Sequence, residues 1–167
     1  IVDRFNHHIT WGQKPNLAHK QLVNLARPLR IRQILTTNLD TLIEQAFGEV
    51  DIPLRIIETT TSGNLPDPDL VLGSNCLIKM HGGAQQTRAD FSLNEIASDE
   101  DKDRFVRYLN HEREIGGVRC VYNPSHLLLL GFSGADCRVI DLIQEALWRL
   151  PDMKVFCVAN SMRTQET

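Results

Sequence analysis

Short continuous apolar runs alternate along this chain with stretches whose apolar positions recur every three or four residues. The clearest junction is Gln33-Ile34-Leu35-Thr36-Thr37-Asn38-Leu39-Asp40, followed by Thr41-Leu42-Ile43-Glu44-Gln45-Ala46-Phe47-Gly48. An apolar run passes through a knot of hydroxyl, amide and carboxylate groups and then becomes amphipathic, with a closing Gly. This predicts a strand over 31–37, a turn, and a helix over 39–47. Ahead of it, 1–12 reads as an incoming loop or helix end. Pro15 opens a helix whose apolar face carries Leu17, Ala18, Leu22, Leu25 and Ala26 until Pro28 stops it.

Beyond the junction, 54–58 alternates as a short strand. The segment 65–75, with Pro66, Pro68 and Gly73, reads as an exposed excursion. Cys76-Leu77-Ile78-Lys79-Met80 is an apolar strand that runs into His81-Gly82-Gly83. After a loop with a brief helical turn over 90–97, acidic residues open a helix at Asp99. Its thin apolar stripe is Phe105, Val106, Leu109 and Ile115, and it stops at Gly116-Gly117. The charge run Asp99 to Arg104 reads as its solvated face. Four consecutive leucines in 125–131 predict a strand buried on both faces. The turn Gly131-Phe132-Ser133-Gly134-Ala135-Asp136 feeds a helix whose inner side holds Val139, Ile140, Leu142, Ile143, Ala146 and Leu147. A last strand, 154–160, ends on Asn160. Strands alternating with helices predict an α/β chain with a mostly parallel central sheet, forming one domain over 1–167.

Four strand ends carry polar groups: Thr37-Asn38-Asp40, His81, Gly131-Ser133 and Asn160. A parallel sheet gathers such ends along one edge, and ligands bind in the crevice outside the carboxyl ends of the strands. Asn38 and Asp40 have a second reading, because either type caps a helix by accepting backbone N–H groups. His81 is the best general-base candidate, since imidazole exchanges protons near neutral pH and the glycines after it leave the ring uncovered. The glycine turn at 131–134, opening a helix, suits a phosphate or sugar. His19, beside an apolar face, reads as a packing residue, and His7 and His8 as polar loop residues.

Composition narrows the partners. At 167 residues, with 42% hydrophobic and 23% charged residues, the chain has the make-up of an ordinary soluble domain. A net charge of −3 offers no basic field for nucleic acid, and no apolar run approaches the ~20 residues of a membrane span. The four cysteines, Cys76, Cys120, Cys137 and Cys157, form no closely spaced pair, so no metal site is expected. Three of them read as small buried hydrophobes, and a reducing cytoplasm fits. Ile1 is not an initiator Met, and no charged-then-apolar leader follows it, so the chain is expected to begin partway into its own domain.

The ordered motifs resemble the sirtuin-like superfamily. Pro15-Asn16-Leu17-Ala18-His19 is similar to its P-N-x-x-H helix, Thr36-Thr37-Asn38-Leu39-Asp40 to its T-[TQ]-N-x-D signature, His81-Gly82 to its H-G pair, and Gly131-Phe132-Ser133 to its G-x-S turn. Asn160 stands where such proteins end a late strand on a ribose-binding Asn. The T-T-N-x-D form, the K-x-H-G strand and Asp136 after the G-F-S turn resemble bacterial sirtuin-like domains of NAD-cleaving, anti-phage defence proteins more than protein deacylases. Two departures stand out. The family's glycine-rich diphosphate loop would lie ahead of Ile1, and the four-cysteine zinc module of deacylases has only Cys120 in its interval.

The resemblance implies a Rossmann-like three-layer fold, with the glycine-rich N-terminal portion missing from this chain, and cleavage of the nicotinamide–ribose bond of NAD as substrate. It casts Asn38, Asp40 and His81 as catalytic, with Thr36, Thr37, Gly82, Gly131, Ser133 and Asn160 contacting the dinucleotide. Nicotinamide and ADP-ribose, or a cyclised form, would be the products. A homo-oligomer or a fused or separate sensor domain would be the partner. An NAD-dependent protein deacylase and a non-catalytic nucleotide-sensing domain are the alternatives.

Overall fold

A computed structural model describes residues 13–29, 31–59, 64–71, 74–81, 96–110, 113–115, 117–120, 126–131 and 134–158. The chain divides into two compact units, Ile1–Phe91 and Ser92–Thr167.

The first unit is a parallel α/β arrangement. Helix α1 (Leu17–Ala26) precedes strand β1 (Gln33–Thr36), helix α2 (Leu42–Gly48), strand β2 (Arg55–Glu58), the single-turn helix α3 (Pro68–Val71) and strand β3 (Cys76–Lys79). The strands form a three-stranded sheet in the order β1-β3-β2, with β3 parallel to both neighbours. Thr36 and Glu58 both stand opposite Lys79. All four residues of the middle strand are buried, as a strand covered on both faces requires. Leu77 belongs to a core with Val23, Ala26, Ile43, Ala46 and Phe47, against which Ile31 and Ile34 pack. Because side chains alternate across a strand, Lys79 shares the face of Leu77, toward α2. Cys76 faces the other way, its Sγ 3.1 Å from Ser74 Oγ.

The sequence expectations shift here in two places. The buried face of α1 is Val23 and Ala26, while Leu17 is 72% exposed and Leu25 also faces solvent. The stripe runs one residue around the helix from the predicted one, through 19, 22, 23 and 26. The segment 65–75 is no exposed excursion: Leu65 and Val71 are fully buried and Pro68 with them. Pro68 and Val71, three residues apart, lie on one side of the turn that α3 makes.

The second unit holds helix α4 (Asp99–Leu109), strands β4 (Arg113–Ile115) and β5 (Val118–Cys120), strand β6 (Leu127–Leu130), helix α5 (Cys137–Arg149) and strand β7 (Val155–Val158). Strands β4 and β5 form an antiparallel hairpin with Ile115 opposite Val118. Ile115 therefore does not extend the helical stripe. Between the two strands, Gly117 takes a positive φ of 78°, as tight hairpin loops favour. Strands β6 and β7 pair in parallel as a separate two-stranded sheet. The leucines of β6 are half-buried, with Leu130 exposed, rather than covered on both faces. Helices α4 and α5 are tied by Arg138, whose guanidinium donates to Asp101 at 2.6 Å with the Asp101 side chain 2% exposed. One residue of the charge run is thus part of the interior. Leu142 and Ala146 are buried on α5, whereas Leu147 is exposed. Cys76 is buried, but Cys137 and Cys157 are exposed thiols.

Both units join helices to parallel strands, so the chain is α/β and Rossmann-like. Among the described residues no helix is long and apolar enough to cross a membrane.

Candidate active site

In the first unit the ends of β1 and β3 lie side by side. The Met80 amide donates to the Thr36 carbonyl at 2.9 Å, extending the ladder one step past the strands. Asn38 follows Thr36 by two residues and His81 follows Lys79 by two, with Thr36 and Lys79 in register. The two candidates therefore leave one edge of the sheet from neighbouring strands, which stand about 4.8 Å apart in any sheet.

The turn between β1 and α2 is fixed from several sides. Thr36 Oγ1 accepts from the Asn38 amide at 3.1 Å. Asp40 Oδ1 accepts from the Leu42 amide at 3.0 Å. Thr41, the residue at the helix N-cap, makes no capping bond through its side chain. Of the two capping candidates Asp40 fills the role, serving a backbone donor that the helix leaves free. Asn38 is exposed, and among the described residues its side chain has no hydrogen bond. Thr37 is half-buried in the same turn.

Beneath this turn sits a lysine that sequence reasoning assigned no role. The Lys79 side chain is 1% exposed, and its Nζ donates to the Leu39 carbonyl at 3.3 Å, the Asp40 carbonyl at 2.5 Å and Glu44 Oε1 at 2.7 Å. Three donors meet three acceptors, which is what a buried ammonium requires. A charged residue inside an otherwise apolar run was the available signal. It became interpretable only once Glu44, in the first turn of α2, was brought against it.

The approach to His81 is fixed by Thr59, directly after β2. Its amide donates to the Lys79 carbonyl at 3.0 Å, and its buried hydroxyl lies 3.0 Å from that same carbonyl and 2.8 Å from the Met80 carbonyl. His81 itself is half-buried.

The other predicted positions are distributed differently. Gly131 lies in the second unit, at the end of β6, exposed and with φ of 63°. Gly134 has φ of 74°, and Asp136 caps α5 by accepting from the Val139 amide at 3.1 Å. Gly82, Ser133 and Asn160 lie outside the described residues. In the P-N-x-x-H segment, Asn16 and His19 form a reciprocal capping box: Asn16 Oδ1 accepts from the His19 amide at 3.2 Å and His19 Nδ1 from the Asn16 amide at 3.3 Å. Imidazole here takes the place usually held by Glu or Gln. Among the described residues no group of His, Cys, Asp or Glu side chains is placed to hold a metal ion.

A family model described as SIR2-like domain matches residues 32–166, most of the chain, including the turn after β1, His81 and the glycine turn at 131–134. A search of curated proteins finds no match to the chain.

Proposed function

The chain belongs to the SIR2-like domain family, and from that premise we propose that it hydrolyses the bond between nicotinamide and ribose in NAD. SIR2-like domains use NAD, so the substrate class comes from the family. The observation that supports the finer reading is the register of Thr36 with Lys79, which delivers Asn38 and His81 together to one sheet edge.

As the bond between the ribose C1″ and the pyridinium nitrogen breaks, its electron pair leaves with nicotinamide, which becomes neutral, and the sugar takes on oxocarbenium character. A water oxygen then bonds to C1″ and gives up a proton, so the balance is nicotinamide, ADP-ribose and one proton. His81 accepts that proton or one from a ribose hydroxyl. Asn38, with both amide groups available to solvent, holds the ribose and orients the water. Asp40 steadies the turn, which agrees with its Oδ1 being engaged by the Leu42 amide. Thr36 and Thr37 border this edge and, with Gly82, bind the dinucleotide. The resemblance assigns Gly131, Ser133 and Asn160 to the phosphates and the adenosine side of the dinucleotide.

The resemblance of the T-T-N-x-D, K-x-H-G and G-F-S segments to bacterial defence proteins supports the reading that this activity serves anti-phage defence in the cytoplasm, under control of a sensor domain or of self-assembly. Release of nicotinamide without any acylated peptide supports the hydrolase. A strict requirement for the peptide points to a deacylase, and tight NAD or ADP-ribose binding without turnover to a nucleotide sensor.

The test is made in the full natural protein. General-base catalysis is worth about 10²–10⁴ in rate, so His81→Ala loses that much turnover while ADP-ribose binding persists. Asn38→Ala loses cleavage with its melting temperature unchanged, because the side chain is exposed. Near-complete cleavage by His81→Ala would overturn the assignment.

A further inference from the structure

We propose that Lys79 is a positioning residue for the reaction: its buried ammonium holds the Leu39 and Asp40 carbonyls and thereby sets where Asn38 stands. The inference rests on the hydrolase reading for its consequence, and on hydrogen-bond geometry for its substance. The carbonyls of Leu39 and Asp40 come before the first intrahelical acceptor of α2, Thr41, whose carbonyl receives the Gln45 amide at 3.0 Å. Neither strand ladder nor helix supplies them with a donor, and without one they would be buried polar groups at a cost of roughly 1–3 kcal/mol each. Lys79 Nζ reaches both, at 3.3 and 2.5 Å. On the N-terminal side of Asn38, Thr36 Oγ1 holds the Asn38 amide at 3.1 Å. Asn38 is thus clamped at its own N–H and at the two following carbonyls, leaving the side chain alone to project.

Glu44 has a different task. Its Oε1 accepts from Nζ at 2.7 Å, while among the described residues Oε2 has no hydrogen bond. It neutralises the ammonium without touching the turn. Lys79 also sits two residues before His81 on β3, so one side chain couples the two strand ends: its backbone leads to the proton acceptor and its ammonium fixes the turn that presents the amide.

The distinction between Lys79 and Glu44 supplies the test. In Lys79→Met the alkyl stem is retained and the three donors are lost. In Glu44→Gln, Oε1 still accepts and the carbonyl bonds remain. Both variants lose stability, but the expected kinetics differ. Misplacing a positioning group by about 1 Å costs on the order of 10²-fold, so Lys79→Met lowers kcat at least ~10-fold with KM for NAD within ~3-fold. Glu44→Gln loses far less kcat at a comparable melting temperature. Should Lys79→Met fail to fold, Lys79→Met/Glu44→Gln removes the lone buried charge and carries the same expectation. Equal kcat losses for Lys79→Met and Glu44→Gln, in proportion to lost stability, would reduce Lys79 to a structural ion pair and overturn the proposal. Amide hydrogen exchange over Asn38 to Leu42 reads the clamp without any turnover. Faster exchange in Lys79→Met than in Glu44→Gln supports it, and equal exchange refutes it. If the wild-type protein does not cleave NAD, the hydrolase reading falls, and the exchange result still decides the clamp.

Discussion

Replacing Thr59 with Val isolates a single hydroxyl at the edge of the candidate site. The side chain is buried, 4% exposed, and its Oγ1 lies 3.0 Å from the Lys79 carbonyl and 2.8 Å from the Met80 carbonyl. Val has almost the same shape, so no cavity opens and the change is chemical. The Lys79 carbonyl keeps its bond from the Thr59 amide at 3.0 Å, so the loss falls on the Met80 carbonyl, directly before His81. A buried acceptor deprived of its donor costs about 1–3 kcal/mol, offset in part by the lower desolvation cost of a methyl group. A net destabilisation of about 1–2 kcal/mol is therefore expected in urea unfolding, with the slope against denaturant unchanged. NAD cleavage should fall ~10-fold, because the carbonyl that loses its anchor starts the chain segment carrying the imidazole. Thr59→Ser separates this account from simple packing: it keeps the hydroxyl, gives up one methyl worth about 0.8 kcal/mol, and should retain most turnover. The reasoning is refuted if Thr59→Val unfolds within ~0.3 kcal/mol of wild type, or if Ser impairs cleavage as much as Val.

Two further outcomes check the packing. Leu65→Ala should cost about 2–5 kcal/mol in urea unfolding, since the fully buried Leu65 belongs to a segment that looks like a surface loop in sequence; a cost under ~1 kcal/mol would return 65–75 to the surface. Arg138→Leu should destabilise by about 3–5 kcal/mol by leaving the Asp101 carboxylate without its guanidinium, whereas Asp101→Leu/Arg138→Leu should recover most of that loss. Additive losses in the double variant would show that the pair is not one interaction.

What the sequence disclosed, and what it hid, follows from the range of the forces involved. Strands β1, β2, β3, β6 and β7 were legible because each is a local run rich in apolar residues, and the ends of β1 and β3 were located because their polar residues are contiguous with the runs; β4 and β5, Arg113-Glu114-Ile115 and Val118-Arg119-Cys120, carry no such run and went unread. Asp40's capping role was legible as one of two candidates, and the choice between Asp40 and Asn38 needed the turn's coordinates. Lys79, Glu44 and Thr59 were opaque because each acquires its meaning from a partner far away in the chain. Asp101 was misplaced for the same reason, its charge being answered by Arg138 on another helix. Ile115 was misassigned because its spacing from Leu109 continues a helical stripe, while the hairpin signal beside it, two consecutive glycines, also reads as a helix end. The exposed Cys137 and Cys157 show the limit of judging burial from apolar neighbours alone.

The Lys79 ammonium also acts as a proofreader of strand pairing. Leu77, Ile78 and their neighbours are interchangeable enough that β3 could slide by one residue between β1 and β2 at modest cost in buried apolar area. A slide of one residue, however, turns every side chain to the opposite face. It would carry the ammonium away from Glu44 and the turn carbonyls and into the apolar surroundings of Ile78, where an unanswered charge is costly. Misregistered sheets are thus penalised by the same group that steadies the candidate site. A chain that has paired its strands incorrectly cannot assemble that site by chance.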